Sequence, residues 1–379
     1  MATLTFMTRT IFDHGASEQL GKVLDLHGIR RPLLCTDPGL VKLGMVAELA
    51  GHLGNDCATT IFDQTPANPT QAAVEDAAKL YREADCDGVV AFGGGSSMDL
   101  AKAVALTVTH DGDLLGYTAG LGGTAKIGPV APLIAIPTTS GTGSEVSAGS
   151  VIIMDNDEKL ILISPHLVPR TAICDPSLTI GLPSLLTAAT GMDAMTHCVE
   201  ALLSPQVNPP AEAVACDGIV RGIRDGHLLG AVRDGSDKDA RWQMMMAATE
   251  GAMAFTKGLG GVHSMSHACG ADQTLKLHHG TLNAVILPTI LDFNRDHTGD
   301  KYARLNEAMG LDAAADPAEF IRGLNADLGL PANLGEMGVS RDAIPALAEH
   351  ATRDVCTFTN PRPCSTSDYE QLFEVALAR

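Results

Sequence analysis

Along the first half of the chain, short runs of consecutive apolar residues alternate with stretches in which apolar positions recur every three or four residues. The runs at 32–36, 59–62, 88–92, 132–136 and 151–154 read as strands, and the stretches at 71–84 and 97–109 as helices. Strands that are apolar on both faces and followed by helices are the unit of a parallel sheet covered on both sides. The N-terminal segment MATLTFMTRTIF also alternates like a strand. The pattern changes near Ile180-Gly181-Leu182-Pro183. Beyond it the helical period dominates, at 184–203, 211–224, 238–255 and in several further stretches, punctuated by Pro209-Pro210 and by the glycines at 258, 260 and 261. The sequence therefore predicts the α/β class, with a Rossmann-like parallel-sheet domain at 1–182 and an all-helical domain at 183–379.

Composition narrows the function. Lys plus Arg total 26 against 45 Asp plus Glu, a formal net charge of −19. A surface this acidic repels phosphate backbones and anionic lipid, so no nucleic-acid or membrane partner is expected. The nine cysteines have no C-x-x-C spacing, and several lie inside apolar runs such as Leu33-Leu34-Cys35. That usage fits buried, reduced thiols rather than a disulfide framework. With neither a signal-peptide pattern nor an apolar run of membrane-spanning length, a cytoplasmic location is expected.

Two loops carry the first candidate chemistry. The strand at 88–92 runs into Gly93-Gly94-Gly95-Ser96-Ser97 and then into a helix. Glycines there let backbone N–H groups approach a ligand, and a helix N-terminus adds partial positive charge, which suits a pyrophosphate. The same glycines also serve a turn that only packs the helix closely. The strand at 132–136 ends in Pro137-Thr138-Thr139-Ser140-Gly141-Thr142-Gly143-Ser144, a polar, uncharged loop at the strand end where open α/β sheets bind ligands. Asp37, just past the strand at 32–36, is a candidate acceptor for an adenosine ribose hydroxyl and would repel a 2′-phosphate, favouring NAD over NADP. A turn-forming aspartate before Pro38-Gly39 is the alternative.

The second constellation lies in the helical half. Asp193 and His197 are four apart and share a helix face; His263 and His267 repeat the spacing, and His278-His279-Gly280 follows. Six of the 13 histidines fall between 197 and 279, four of them within 263–279. Asp193, His197, His263 and one of the 278/279 pair form a four-ligand set with imidazole and carboxylate donors, which suit Fe²⁺ or Zn²⁺. Singly, each is as well read as a satisfied core histidine or a capping aspartate.

The strings GGGSSMDLAK, PTTSGTGSEV, GMDAMTHCVEA and GGVHSMSHACGA…HHGTLNAV occur in this order over residues 93–285. Together they resemble the signatures of the iron-containing (group III) alcohol dehydrogenases, and the stretch around residues 255–260 resembles their 4-hydroxybutyrate dehydrogenase branch. The resemblance implies a dehydroquinate synthase-like architecture and a metal held by Asp193, His197, His263 and His279. The last is chosen because His-Gly is the family's pairing, although the stretch from His263 to His279 is two residues longer than in many members and His278 replaces a common proline. His267 matches the histidine near the nicotinamide. Nucleotide contacts are implied for Asp37, Gly94, Gly95, Ser96, Asp99, Thr138, Thr139, Thr142 and Lys159.

The implied reaction is NAD-dependent interconversion of a small alcohol and its aldehyde, with the metal as Lewis acid and His267 in the proton path. A homodimer is expected. Lys257 is a candidate clamp for a carboxylate at the far end of the substrate, which would select succinic semialdehyde and 4-hydroxybutyrate. A helix-end lysine complementing a dipole is its other reading. Rival functions are a hydroxyacid–oxoacid transhydrogenase, a dehydroquinate synthase-like lyase and a non-catalytic nucleotide or metal binder.

Overall fold

The computed structural model describes residues 8–54, 57–156, 158–271 and 275–378. Two compact units emerge, Met7–Thr139 with Gly143–Thr179, and Ile180–Arg379 with Ser140–Thr142. The change of unit at 179/180 falls beside the change of periodicity near residue 182.

The first unit is built on β1 (Arg9–Phe12), β2 (Pro32–Cys35), β3 (Thr60–Phe62), β4 (Gly88–Gly93), β5 (Leu133–Pro137) and, after a separate ribbon of β6 (Gly149–Ile153) and β7 (Lys159–Ile163), β8 (Thr171–Cys174). The six-stranded sheet has the order β1-β8-β5-β4-β2-β3, and its pairs are parallel. Unbroken apolar runs suit these strands because successive residues feed opposite cores. Leu33, Val89, Ala91, Leu133 and Ala135 join the core containing the helix Gly95–Thr107. Their neighbours Leu34, Val90, Phe92, Ile134 and Ile136 join the core on the other face, with Leu20 and Leu24. The chain moves outward from β2 to β3 and then returns to the opposite side of β2 as β4. Such a reversal opens a crevice at the carboxyl ends of the strands.

One strand differs from expectation. The run at 151–154 does not join the parallel sheet: β6 pairs antiparallel with β7. A parallel return needs a crossover of a dozen or more residues, usually helical, and the link from Pro137 to Gly149 holds only the short turn Ser144–Val146. β7 and β8 are not among the strands expected from the sequence.

The helical unit centres on the helix Ser184–Leu203, in which every residue from Thr187 to Leu203 is buried. A helix apolar nearly all round must be wrapped by others. Here the helices Pro209–Ile219, Lys238–Ala254 and His279–Asn294 pack against it. The helix expected at 211–224 ends as an α-helix at Ile219 and continues as one π turn, Val220–Arg224.

Lys257 proves to be part of this packing and corrects the sequence reading. Its Nζ donates to the carbonyl oxygens of Ala201 at 2.7 Å, Leu202 at 3.0 Å and Ser204 at 2.7 Å. It also lies 3.1 Å from Glu212 Oε1, and its side chain is 0% exposed. The ammonium therefore closes the C-terminal end of the Ser184–Leu203 helix, whose last carbonyls carry partial negative charge. It is spent there and is not available to clamp a substrate. Burial pushes its pKa down to about 8. Glu212 is shared with Lys301 and Arg304; despite burial, hydrogen bonds from Arg304 and Lys257 hold its carboxyl down to about 2. Lys257→Met is therefore expected to cost about 1–3 kcal/mol of stability, because it strands buried carbonyl acceptors while Glu212 keeps Lys301 and Arg304. Denaturant unfolding checks this; a variant as stable as the parent, impaired only toward carboxylate-bearing substrates, would restore the clamp.

Candidate active site

In the first unit, the adjacency of β2, β4 and β5 brings three segments together at their carboxyl ends. Cys35 pairs with Ala91, and Gly93 with Pro137. Asp37, the glycines after β4, and Thr138 with Thr139 therefore line one crevice. Gly93 turns there with φ 151°, and a Cβ on it would lie 2.5 Å from Ser97 Oγ, so only glycine fits. The helix Gly95–Thr107 begins at Gly94 with no side-chain cap. Its uncapped first-turn N–H groups suit a pyrophosphate.

Other residues implied by the resemblance have structural duties in the same unit. Asp37 Oδ1 accepts from the N–H groups of Gly39 at 2.8 Å and Leu40 at 3.1 Å, so the turn-forming role is present. Asp99 braces the ribbon: its oxygens accept from Ser144 Oγ at 2.7 Å and Val151 N at 3.0 Å, and burial raises its pKa. Ser96 Oγ donates to Ala67 O, and Lys159 Nζ to Asn68 Oδ1 at 3.2 Å. Thr142 belongs to the short segment grouped with the helical unit.

In the helical unit three helices deliver the metal-ligand candidates. Asp193 and His197 come from Ser184–Leu203, His263 and His267 from Gly261–Gly270, and His279 from His279–Asn294. Around Asp193 Oδ1 stand His279 Nε2 at 3.6 Å, His197 Nε2 at 3.8 Å and His263 Nε2 at 4.0 Å. Asp193, His197 and His263 are buried, with ligand atoms all within 4.8 Å of one another. The His279 side chain keeps 27% exposure, so the cluster has one open side. This approach depends on Gly280, where a Cβ would sit 2.2 Å from Ala189 O and 3.2 Å from Asp193 Cβ. The glycine lets one helix lie against the backbone of the other, and His279 is carried to Asp193. His278, by contrast, is exposed and caps its helix, with Nδ1 accepting from Thr281 N at 3.4 Å. Residues 272–274 of the lengthened stretch lie outside the described residues.

The protonation pattern fits a cation. Burial pulls the His197 pKa down to about 4, leaving a neutral imidazole with a lone pair to give. His263 Nδ1 lies 2.6 Å from Glu200 Oε2. A carboxylate only accepts, so Nδ1 carries the proton and Nε2 presents its lone pair toward Asp193. One carboxylate and three imidazoles on one point match the donor chemistry of Fe²⁺ or Zn²⁺.

Three residues here escaped the sequence reading. Glu200 had a signal, because 193, 197 and 200 share one helix face. It also accepts from Val262 N at 2.7 Å, fastening the start of the next helix. Asn283 follows His279 by one turn. Asp354 had no signal: it lies 87 positions after His267, whose Nδ1 it meets at 2.9 Å. Against the effect of burial, His267 and the Cys356 N–H at 2.8 Å hold the Asp354 carboxyl down to about 2. This bond fixes which nitrogen of His267 is engaged.

Residues 7–176 match the model of the iron-containing alcohol dehydrogenases, and residues 187–377 the C-terminal model of the same family. The chain is 50% identical over 385 residues, and 100% of both chains, to a 4-hydroxybutyrate dehydrogenase of Cupriavidus necator. It is 36% identical to a 1,3-propanediol dehydrogenase of Klebsiella pneumoniae, over 96% of each chain. The structure of a 1,3-propanediol oxidoreductase superposes with TM-score 0.93 at 35% identity, covering 99% of this chain and 100% of that one. With both units matched and a metal-ligand cluster in the second, the chain is a member of the iron-containing alcohol dehydrogenase family.

Proposed function

We propose that this dehydrogenase interconverts 4-hydroxybutyrate and succinic semialdehyde with NAD(H), using one divalent ion, iron(II), held by Asp193, His197, His263 and His279. The observation that carries the metal assignment is the set of three imidazole Nε2 atoms at 3.6–4.0 Å from one carboxylate oxygen. The substrate assignment rests on the relative that shares half of its residues with this chain along the full length. With Lys257 spent in packing, the carboxylate end of the substrate has a different partner. The nine cysteines, all among the described residues, form no disulfide, which supports a reducing, cytoplasmic setting. We further propose a homodimer, on the family resemblance alone.

The bound ion supplies Lewis acidity toward the carbonyl oxygen, and the nicotinamide supplies or takes the hydride. The chain's own residues do the rest. Neutral His197 offers a lone pair, and Glu200 holds Nδ1 of His263 so that its Nε2 faces Asp193 and the ring does not rotate. His267, fixed by Asp354, exchanges a proton at Nε2. The glycines after β4 and the uncapped helix start receive the pyrophosphate, and Asp37 faces the adenosine end.

Purified enzyme reloaded with Fe²⁺ should oxidise free NADH with succinic semialdehyde at a kcat/KM at least about tenfold above that with butanal, the span of one favourable polar contact. Equal rates would remove the substrate assignment. Turnover only with a second oxoacid, without use of free NADH, would point to transhydrogenation. Coenzyme choice gives a second test. Asp37→Ser keeps a capping oxygen for Gly39 and Leu40 but removes the charge. It should raise the NADPH-to-NADH ratio of kcat/KM by roughly tenfold or more, for a like-charge term of about 1–3 kcal/mol. A parent enzyme that already prefers NADPH would exclude that role for Asp37.

A further inference from the structure

Asn283 is fully buried on the helix His279–Asn294, one turn beyond His279 and on the same face. Its Nδ2 lies 2.7 Å from Asp193 Oδ1, 3.2 Å from His263 Nε2 and 3.2 Å from His279 Nε2. One amide thus meets atoms of three of the four proposed ligands. The Asp193 carboxylate is 2% exposed. Among the described residues, Asn283 is its only hydrogen-bond donor. The direction of the amide is set by chemistry, since a carboxylate oxygen only accepts and a reversed amide would put two oxygens face to face. Asn283 Oδ1, at the other end, is buried without a partner. The side chain is therefore held by what its NH₂ touches and not by its carbonyl.

We propose that Asn283 is a positioning residue of the metal centre, which orients the Asp193 carboxylate toward the ion by donating to its Oδ1. This rests on the metal reading above. Without the amide, the Asp193 carboxylate is free to turn about its side-chain torsions in a pocket where no other described group donates to it. The imidazoles do not replace it, because His263 already spends its Nδ1 proton on Glu200. Partners that orient metal ligands in this way typically change affinity by 10–100-fold. The effect is on binding of the ion and is readable without turnover.

The test is Zn²⁺ affinity by competition with a chromophoric chelator, on the full chain stripped of metal. Asn283→Ala is expected to bind Zn²⁺ about 10- to 100-fold more weakly than the parent. Asn283→Leu, close in volume and lacking the donor, should show the same loss and serves where the alanine variant folds poorly. In an Asp193→Ala background, which has no carboxylate to orient, the further loss from Asn283→Ala should fall below about threefold. Parent-like affinity in both Asn283 variants, or an equal loss with and without Asp193, overturns the proposal. His263→Ala separates the two layers: if it loses the ion while Asn283→Ala keeps it, the metal reading stands and the role of Asn283 does not. Full affinity in His263→Ala overturns the metal reading itself.

Discussion

A carboxylate and two imidazoles are buried at one point in the helical unit, with a third, half-buried imidazole beside them, and burying an anion in a protein interior is costly unless a cation or several donors meet it. Around Asp193, the neighbours are three imidazoles and one amide. A divalent ion bound at that point would offset the cost of burying these groups, so that stability and metal binding would share one cause. Much of the surrounding structure serves this constraint. Gly280 lets two helices touch so that His279 reaches Asp193. Glu200 ties His263 and the start of its helix to the central one. Lys257 closes the end of that same central helix.

The sheet unit is governed by a different constraint, the reversal of strand order between β2 and β4. It places a glycine turn, an uncapped helix start and a polar strand end side by side at the carboxyl ends of three strands. Backbone donors there suit a dinucleotide pyrophosphate even though the chain as a whole carries a formal charge of −19. Local backbone dipoles outweigh net charge at contact distance, where solvent screening is weakest.

Features tied to local periodicity were legible in the sequence, and features tied to direction in space were not. The helix Ser184–Leu203 has the bounds its pattern predicted, because a mostly apolar stretch between Pro183 and Pro205 permits little else. The pairs 193/197 and 263/267 announced themselves by four-residue spacing, and the family strings completed the set with His279. Lys257 misled because closeness in sequence to His263 says nothing of where a long, flexible side chain turns. The carbonyls that hold it belong to residues 201–204, more than fifty positions earlier. The run at 151–154 was a strand but paired with β7, since hydrophobic runs do not encode strand direction. Asp354 was invisible, because its meeting with His267 is purely tertiary.

Anomalous diffraction from a crystal of the iron-loaded enzyme, collected on either side of the iron absorption edge, tests the central claim most directly. The account predicts one iron-specific peak per chain, within about 2.0–2.3 Å of Asp193 Oδ1 and the Nε2 atoms of His197, His263 and His279. A peak ligated by His278 in place of His279, or one seated on His267, Asp354 and Cys356, would contradict it.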